Sequence, residues 1–238
     1  LKNNFEILDW DSDFFDFKVA KINWFESEMV LKSIISDLKR QGVKLAYCFC
    51  NPNSNIDISL SSCGAFLADV KVTFSRELVD LDFNKENLFI KEYQGSTVTS
   101  KMLDIALQTS EFSRFRVDNN FKDEEFKKLY YRWIGNAVEN NIKGKLFVYQ
   151  DVGTLKGLIY LKEMSPKIGS ISLIGVDQGY RGEQIGTRLI DKAMIYFREK
   201  GMDEVQVVTQ NKNTLACNFY KKNNFNLIDK DHVYHLWL

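Results

Sequence analysis

A chain of 238 residues can form one large domain or two small ones, and either buries a sizeable core. At 45% hydrophobic and 27% charged residues, with formal net charge zero, it has the composition of an ordinary globular protein and no disordered tract. No apolar run approaches the ~18 residues of a membrane span, no secretory signal opens the sequence, and no Lys/Arg cluster forms a nucleic-acid footprint.

The first half reads as alternating strand and helix. Phe17–Trp24 is β-like, and Ser27–Gln41 is helical, with Met29, Ile34, Ile35 and Leu38 on one side. Lys44–Cys50 is a strand, the turn-rich Asn51–Asn55 follows, and then come a helix around Ile58–Cys63 and a strand around Ala68–Ser75. The polar stretch Asp80–Gly95 predicts a boundary, dividing the chain into residues 1–90 and 91–238. The first part carries net charge −4 and the second +4, which is either surface variation or provision for an anionic ligand in the second half.

The second half opens with helices at about Ser100–Thr109 and Asp123–Asn140. Strands follow at Leu146–Gln150, Gly157–Lys162 and Ser170–Val176, then a helix from about Gln184 to Lys200 that ends at Gly201. Strand Glu204–Gln210, helix Thr214–Asn223 and strand Val233–Leu238 complete the pattern.

Cys48, Cys50, Cys63 and Cys217 show no histidine at metal-ligand spacing, which predicts buried free thiols, a reducing compartment and no metal. The protein is accordingly expected in the cytoplasm.

The segment 47–74 resembles 207–236. Each runs strand, Asn-x-Asn, short helix, small or polar residues with Phe, strand. Asn51 and Asn53 answer Asn211 and Asn213, and Gly64-Ala65-Phe66 answers Asn223-Asn224-Phe225. Any βαβ unit shares part of this plan, so the echo reads either as a recurrent unit or as a duplicated half. The first copy has no tyrosine where the second has Tyr220 and nothing like "RGEQIG" before it, so a duplicated first half would have lost the chemistry.

In "IGVDQGYRGEQIGTRLIDKA", residues 174–193, Gly182 and Gly186 stand beside Arg181 between a strand end and a helix start. Backbone N–H groups at a helix N-terminus bind anions, glycine admits a phosphate to the backbone, and Arg181 can add a charge-assisted bond. A plain β–α turn with tight geometry explains the same residues. There is no Gly-Lys-Ser/Thr of a P-loop and no G-x-G-x-x-G spacing.

"VDQGYRGEQIGTRLI" resembles the Arg-x-x-Gly-x-Gly signature of the GCN5-related N-acetyltransferases, whose loop holds the pyrophosphate of acetyl-CoA. Arg181, Ile185 and Gly186 match it, and Gln184 stands where the family has glycine. "NKNTLACNFYKKNNF" resembles the family's Asn…Ala-x-x-Phe-Tyr-x-x-x-Gly-Phe motif. Asn213 matches the cofactor-contacting asparagine, Tyr220 the tyrosine near the thioester sulfur, and Asn224 replaces the glycine as another residue tolerant of a left-handed conformation.

"LDWDSDFFDFKVAKI" (8–22), "SRFRVD" (113–118), "LYYRWIGNAV" (129–138) and "YHLWL" (234–238) look like the dTDP-fucosamine acetyltransferase group. That resemblance implies N-acetylation of a dTDP-4-amino-4,6-dideoxy sugar for surface-polysaccharide synthesis, and a homodimer. It implies the α/β (α+β) acetyltransferase fold, a mixed and mostly antiparallel sheet flanked by helices, with a reduced acetyltransferase-like N-terminal domain before a complete C-terminal one. The alternatives are transfer to a protein, peptide or other small amine, and a non-catalytic acyl-CoA-binding module.

Acetyl transfer from a thioester needs a neutral amine, a polarised carbonyl and a proton for the thiolate. Ile174, Gly175 and Val176 offer backbone N–H groups for pantetheine and the carbonyl, and Gly175 is expected to permit a splay of the strand. Arg181, Gly182, Glu183, Gln184, Ile185, Gly186, Thr187 and Asn213 complete the acetyl-CoA set. Tyr220 is the candidate general acid, its alternative being a packing aromatic like Phe219. His232 and His235, three apart on a strand, face opposite sides and are expected to be structural, so no base is assigned. Arg114 and Arg116 are candidates for the sugar-nucleotide diphosphate, able to act together only from a loop or strand. Phe15, with Phe14, is a candidate for stacking on base or sugar, against a core role.

Overall fold

The computed structural model describes residues 4–52, 55–79, 87–139 and 144–238. The first half runs β1 (Phe5–Ile7), α1 (Asp9–Phe15), β2 (Lys18–Ile22), α2 (Glu28–Arg40), β3 (Val43–Cys50), α3 (Ile56–Ser62) and β4 (Phe66–Glu77). The second half begins with β5 (Ile90–Glu92), α4 (Ser100–Gln108), α5 (Arg114–Val117) and α6 (Asp123–Val138). Then come β6 (Gly144–Asp151), β7 (Thr154–Glu163), β8 (Ile168–Val176), α7 (Ile185–Glu199), β9 (Glu204–Gln210), α8 (Thr214–Lys222) and β10 (Asn226–Trp237). The predicted elements are present, and β1, α1, β5 and α5 are additional.

Local chemistry explains the helix ends. Ser27 and Thr99 accept the N–H groups of Val30 and Met102 and so cap α2 and α4. Glu125 reaches back to the N–H of Lys122 at 2.7 Å at the start of α6. Gly201 follows α7 in a left-handed conformation, φ 72°, as its position predicts.

The chain forms two units, neither a single stretch: Leu1–Val72 with Gln210–Lys212 and Asp229–Leu238, and Thr73–Thr209 with Asn213–Ile228. In the first unit the strand order is β1-β2-β3-β10-β4. β2 pairs with β3 in parallel along its whole length, through Ile22 opposite Cys48, and β10 pairs with β3 antiparallel. One face of α2, carrying Leu31, Ile34 and Leu38, packs into a core with Ile22, Cys48 and Leu60. Met29, expected on that face, is 81% exposed. In the second unit the order is β4-β9-β8-β7-β6-β5, antiparallel from β5 to β8, with β8 and β9 parallel. Helices α4 and α7 pack on β7 and β8.

The sequence echo is a recurrent backbone plan. β4 and β10 match end to end, Phe66 with Asn226 and Glu77 with Trp237. The helix ends match as well, but one residue away from the expected alignment. Gly64 and Asn224 are the left-handed residues, φ 87° and 62°, so Cys63-Gly64-Ala65 answers Asn223-Asn224-Phe225. The phenylalanines mislead the eye here: Phe225 is buried, whereas Phe66 is 38% exposed. Of the asparagine pairs, Asn53 lies outside the described residues.

None of the four cysteines forms a disulfide; Cys48 and Cys50 are buried, and Cys63 and Cys217 half-buried. Among the described residues no helix is long and apolar enough to cross a membrane.

Candidate functional site

Strand β8 changes partners along its length. Its parallel ladder with β9 covers only Ile168–Ile171 against Glu204–Val207, while its antiparallel ladder with β7 continues to Val176 opposite Gly157. The departure coincides with an irregularity: Tyr160 faces Leu173 and Leu161 faces Ile171, so Ser172 is an extra residue. Such a bulge bends a strand and sharpens its twist, which carries the end of β8 away from β9. Leu173–Val176 thus run on with β7 alone, and their outward backbone groups can take a ligand in the place of a strand.

The bulge corrects the expected role of Gly175. A Cβ there would lie 2.7 Å from Ile105 Cγ2 and 3.0 Å from Thr109 Cγ2, so this glycine admits the close passage of α4 over the strand. The splay begins three residues earlier, at a serine that no glycine or proline signal marks.

After β8 the chain makes a 3₁₀ turn, Gln178–Tyr180, capped by Asp177, whose carboxylate accepts the Gly179 N–H at 3.0 Å. Arg181 Nε donates to the Val176 carbonyl at 3.2 Å, holding the arginine across the end of β8. Gly182 has φ 91°, and Gln184, in the family's glycine position, has φ 60° and ψ 11°. Gln184 therefore adopts the left-handed conformation in which glycine has no steric cost.

Helix α7 begins without a side-chain cap. Its first backbone bond runs from the Arg188 N–H to the Gln184 carbonyl at 3.1 Å, so the N–H groups of Ile185, Gly186 and Thr187 precede any intrahelical acceptor. With the dipole of a 15-residue helix behind them they make the kind of helix end that favours anions. Glu183 sends its carboxylate to within 4.0 Å of Lys156 Nζ, leaving its backbone as its contribution to the loop. Lys156 also pairs with Asp151 at 2.9 Å, and Arg188 donates to Tyr149 Oη at 2.9 Å.

The second motif lies against the first. A Cβ on Gly186 would stand 3.0 Å from Phe219 Cε2, so the glycine brings the start of α7 onto α8 at the residue beside Tyr220. Asn213 caps α8, its Oδ1 accepting the Ala216 N–H at 3.0 Å, which leaves its amide NH₂ as the group to offer a ligand. Tyr220 is 5% exposed and its ring packs among Phe74, Phe219 and Phe225. Burial pushes its phenol far above the ordinary range, with Cys217 one helical turn away adding to the shift. The phenol keeps its proton across the physiological range.

The candidate substrate residues fare differently. Arg114 and Arg116 lie on the short helix α5, where residues two apart point to different faces, so the loop or strand that joint contact requires is absent there. Each guanidinium rests over an aromatic ring, Arg114 4.6 Å from Phe115 and Arg116 5.5 Å from Phe126. Phe15 is 6% exposed and packs on Phe14 and Phe17, a core residue with no free face for a base. His235 is fully buried against Tyr47, and His232 Nδ1 lies 3.0 Å from both carboxylate oxygens of Asp57. Both histidines make these contacts within the first unit.

The chain was compared with known proteins. Residues 105–225, just over half the chain, match the model of the acetyltransferase (GNAT) family, a span that includes every residue of the loop and of α8. A mycothiol acetyltransferase of Propionibacterium freudenreichii is 26% identical over 37% of the chain and 29% of its own length, so the chain spans less than a third of that relative. Another, from Corynebacterium glutamicum, is 22% identical over 82% of the chain and 71% of its own length. Among solved structures, a tandem GNAT protein from the clavulanic acid biosynthesis pathway superposes with a TM-score of 0.57 at 12% identity. It covers 92% of the chain and 75% of its own. The family model, the bulged and diverging strand, the uncapped helix and the tyrosine on α8 agree: the chain belongs to the acetyltransferase (GNAT) family.

Proposed function

We propose that this protein transfers the acetyl group of acetyl-CoA to an amine. The observation that carries the reading is the departure of β8 from β9 at Ser172, next to the uncapped start of α7. One edge takes the extended amide chain of pantetheine, and the helix end takes the pyrophosphate with Arg181. The N–H groups of Ile174–Val176 polarise the thioester carbonyl. The neutral amine attacks, a C–N bond forms, and the C–S bond breaks as the tetrahedral intermediate collapses. Tyr220 gives its proton to the departing thiolate, and the amine loses its extra proton to water.

On this reading residues 91–238 carry the cosubstrate chemistry and residues 1–90 are an acetyltransferase-like domain without it. Three features support the division. In the first unit β2 stays paired with β3 to its end, Ser27 caps α2, and Leu60 stands where the second copy has Tyr220.

The acceptor we propose is a nucleotide-activated amino-deoxy sugar of the dTDP-4-amino-4,6-dideoxyhexose type, with the protein acting as a homodimer in the cytoplasm. This rests on the sequence resemblance over residues 8–22, 113–118, 129–138 and 234–238. The relatives named mycothiol acetyltransferase carry a second acceptor reading, a mycothiol-related small molecule. The test is calorimetric titration with acetyl-CoA, followed by thiol release with dTDP- and UDP-amino sugars, mycothiol-related amines and peptides as separate arms. Release with the dTDP-4-amino sugar alone supports the first reading. Release with another arm alone replaces the acceptor, and no acetyl-CoA binding removes the whole proposal.

A further inference from the structure

We infer that Asp177 is a positioning residue for the proposed transfer, binding helix α4 to the loop that leads into the acetyl-CoA turn. The inference rests on the function proposed above. Asp177 is 6% exposed and stands directly after the diverging end of β8. Its Oδ1 is spent on the loop itself, accepting the Gly179 N–H. Its Oδ2 is spent on α4, accepting Lys101 Nζ at 2.5 Å and Gln108 Nε2 at 3.3 Å. Lys101 and Gln108 are two helical turns apart on one face, so a single carboxylate oxygen holds both ends of the helix.

Gln108 completes the joint: its Oε1 accepts the Gln178 N–H at 2.8 Å, so one side-chain amide grips two consecutive loop residues. Ile105, between these anchors, and Thr109, just past the second, lie against the backbone of Gly175. Helix α4 is thereby fixed over the part of β8 proposed to meet the thioester, and the path from Val176 to Arg181 is fixed by the same contacts. The chain has two ways to shape this loop, the local cap through Oδ1 and the clamp through Oδ2. The clamp is the part that makes Asp177 more than a turn residue.

Asp177→Asn separates the two. An asparagine keeps its Oδ1 for the Gly179 N–H but presents NH₂ to the two donors on α4, which opens the clamp and spares the cap. Acetyl-CoA affinity is measured by calorimetry on Asp177→Asn, Asp177→Ala and Gln108→Leu, each checked for melting temperature. Amide exchange of 177–181 is followed against that of α8. The expected result is an acetyl-CoA Kd raised about tenfold in Asp177→Asn and in Gln108→Leu, the size of one lost charge-assisted bond. Exchange should quicken in 177–181 and not in α8, and kcat at saturating acetyl-CoA should change far less than Kd.

Asp177→Asn with a Kd within about twofold of wild type, beside a weakened Asp177→Ala, would leave only the local cap and overturn the inference. So would lower melting temperatures in all three variants with unchanged Kd, which is a purely structural role. Wild type that binds no acetyl-CoA fails the function proposed above, and this inference falls with it; variants that bind like wild type fail this inference alone.

Discussion

Leu60 and Tyr220 occupy the same place in two copies of one helix ending. The carbonyl of Leu60 accepts the N–H groups of Cys63 and Ala65, and that of Tyr220 accepts those of Asn223 and Phe225. The residue three before each left-handed position, Ser61 and Lys221 in turn, is matched as well, its carbonyl accepting from Gly64 and Asn224. The backbone is repeated and the hydroxyl is not. One copy therefore holds a fully buried aliphatic residue where the other holds a buried phenol.

On the function proposed above, the chain should bind one acetyl-CoA, at the second copy alone. Titration calorimetry should give a stoichiometry of one per chain, lost on replacing Gly182 by a β-branched residue, since φ 91° is closed to such a side chain. Two sites per chain, or full affinity in a folded Gly182→Val variant, would contradict the assignment.

Gln184→Gly should bind acetyl-CoA as wild type does and melt slightly higher. The glutamine sits at φ 60°, a conformation that costs an L-residue about 1 kcal/mol, and the N–H offered to the ligand is unchanged. A marked loss of affinity would mean that the glutamine side chain itself is a ligand.

Much of this site is legible in the sequence because glycine, asparagine and apolar period report directly on backbone geometry. The Arg181–Gly186 turn, the left-handed Asn224 and helices α7 and α8 were all readable in that way. Other features were hidden for physical reasons. Ser172 makes its bulge by register alone, which depends on partners distant in sequence. The first half of β10 leaves Leu227 and Ile228 exposed and then runs through three consecutive charges, Asp229-Lys230-Asp231, so alternation becomes visible only near Val233. α1 is a seven-residue helix, and its aromatic run reads as a ligand face until the fold buries Phe15. Asp177 carries a turn signal, Asp with Gly two residues on, but its bonds to Lys101 and Gln108 cross a sequence gap that no local pattern spans.

The β6–β7 hairpin offers a stability test independent of function. Asp151 pairs with Thr154, and the two-residue turn between them has φ 44° at Val152 and 77° at Gly153, the mirror-image turn that favours Asn-Gly. Val152 is 96% exposed, so it gains nothing from packing. Val152→Asn should stabilise by about 1 kcal/mol, a rise of roughly 2–4 °C in Tm, with kinetics unchanged. An unchanged or lower Tm would show that the valine pays no conformational cost.

Asp57 should shape the acid limb of stability. Burial raises its carboxyl pKa, but bonds from His232, Cys50 and Tyr234 outweigh that and leave it below the usual range. A carboxyl that binds its proton less readily when folded contributes fully above the ordinary carboxylate range, and loses that contribution as pH falls through its lowered pKa. The Tm gap between wild type and Asp57→Asn should therefore be widest near neutrality and close on going to about pH 3. A gap constant with pH would mean that the carboxylate's charge is not what the cluster uses.

Tyr220 bears the central claim, and Tyr220→Phe tests it most directly. The ring and its packing against Phe74, Phe219 and Phe225 are kept, so acetyl-CoA affinity and Tm should stay near wild type. Loss of the proton donor should lower kcat by ~10²–10⁴-fold, a barrier increase of roughly 3–5 kcal/mol. Because burial holds the wild-type phenol protonated, its kcat should show no fall with rising pH up to about pH 10. The measurement is thiol release under conditions where chemistry limits turnover, with the acceptor identified by the amine panel. A phenylalanine variant that turns over like wild type there would contradict the account, and Tyr220 would be a packing residue.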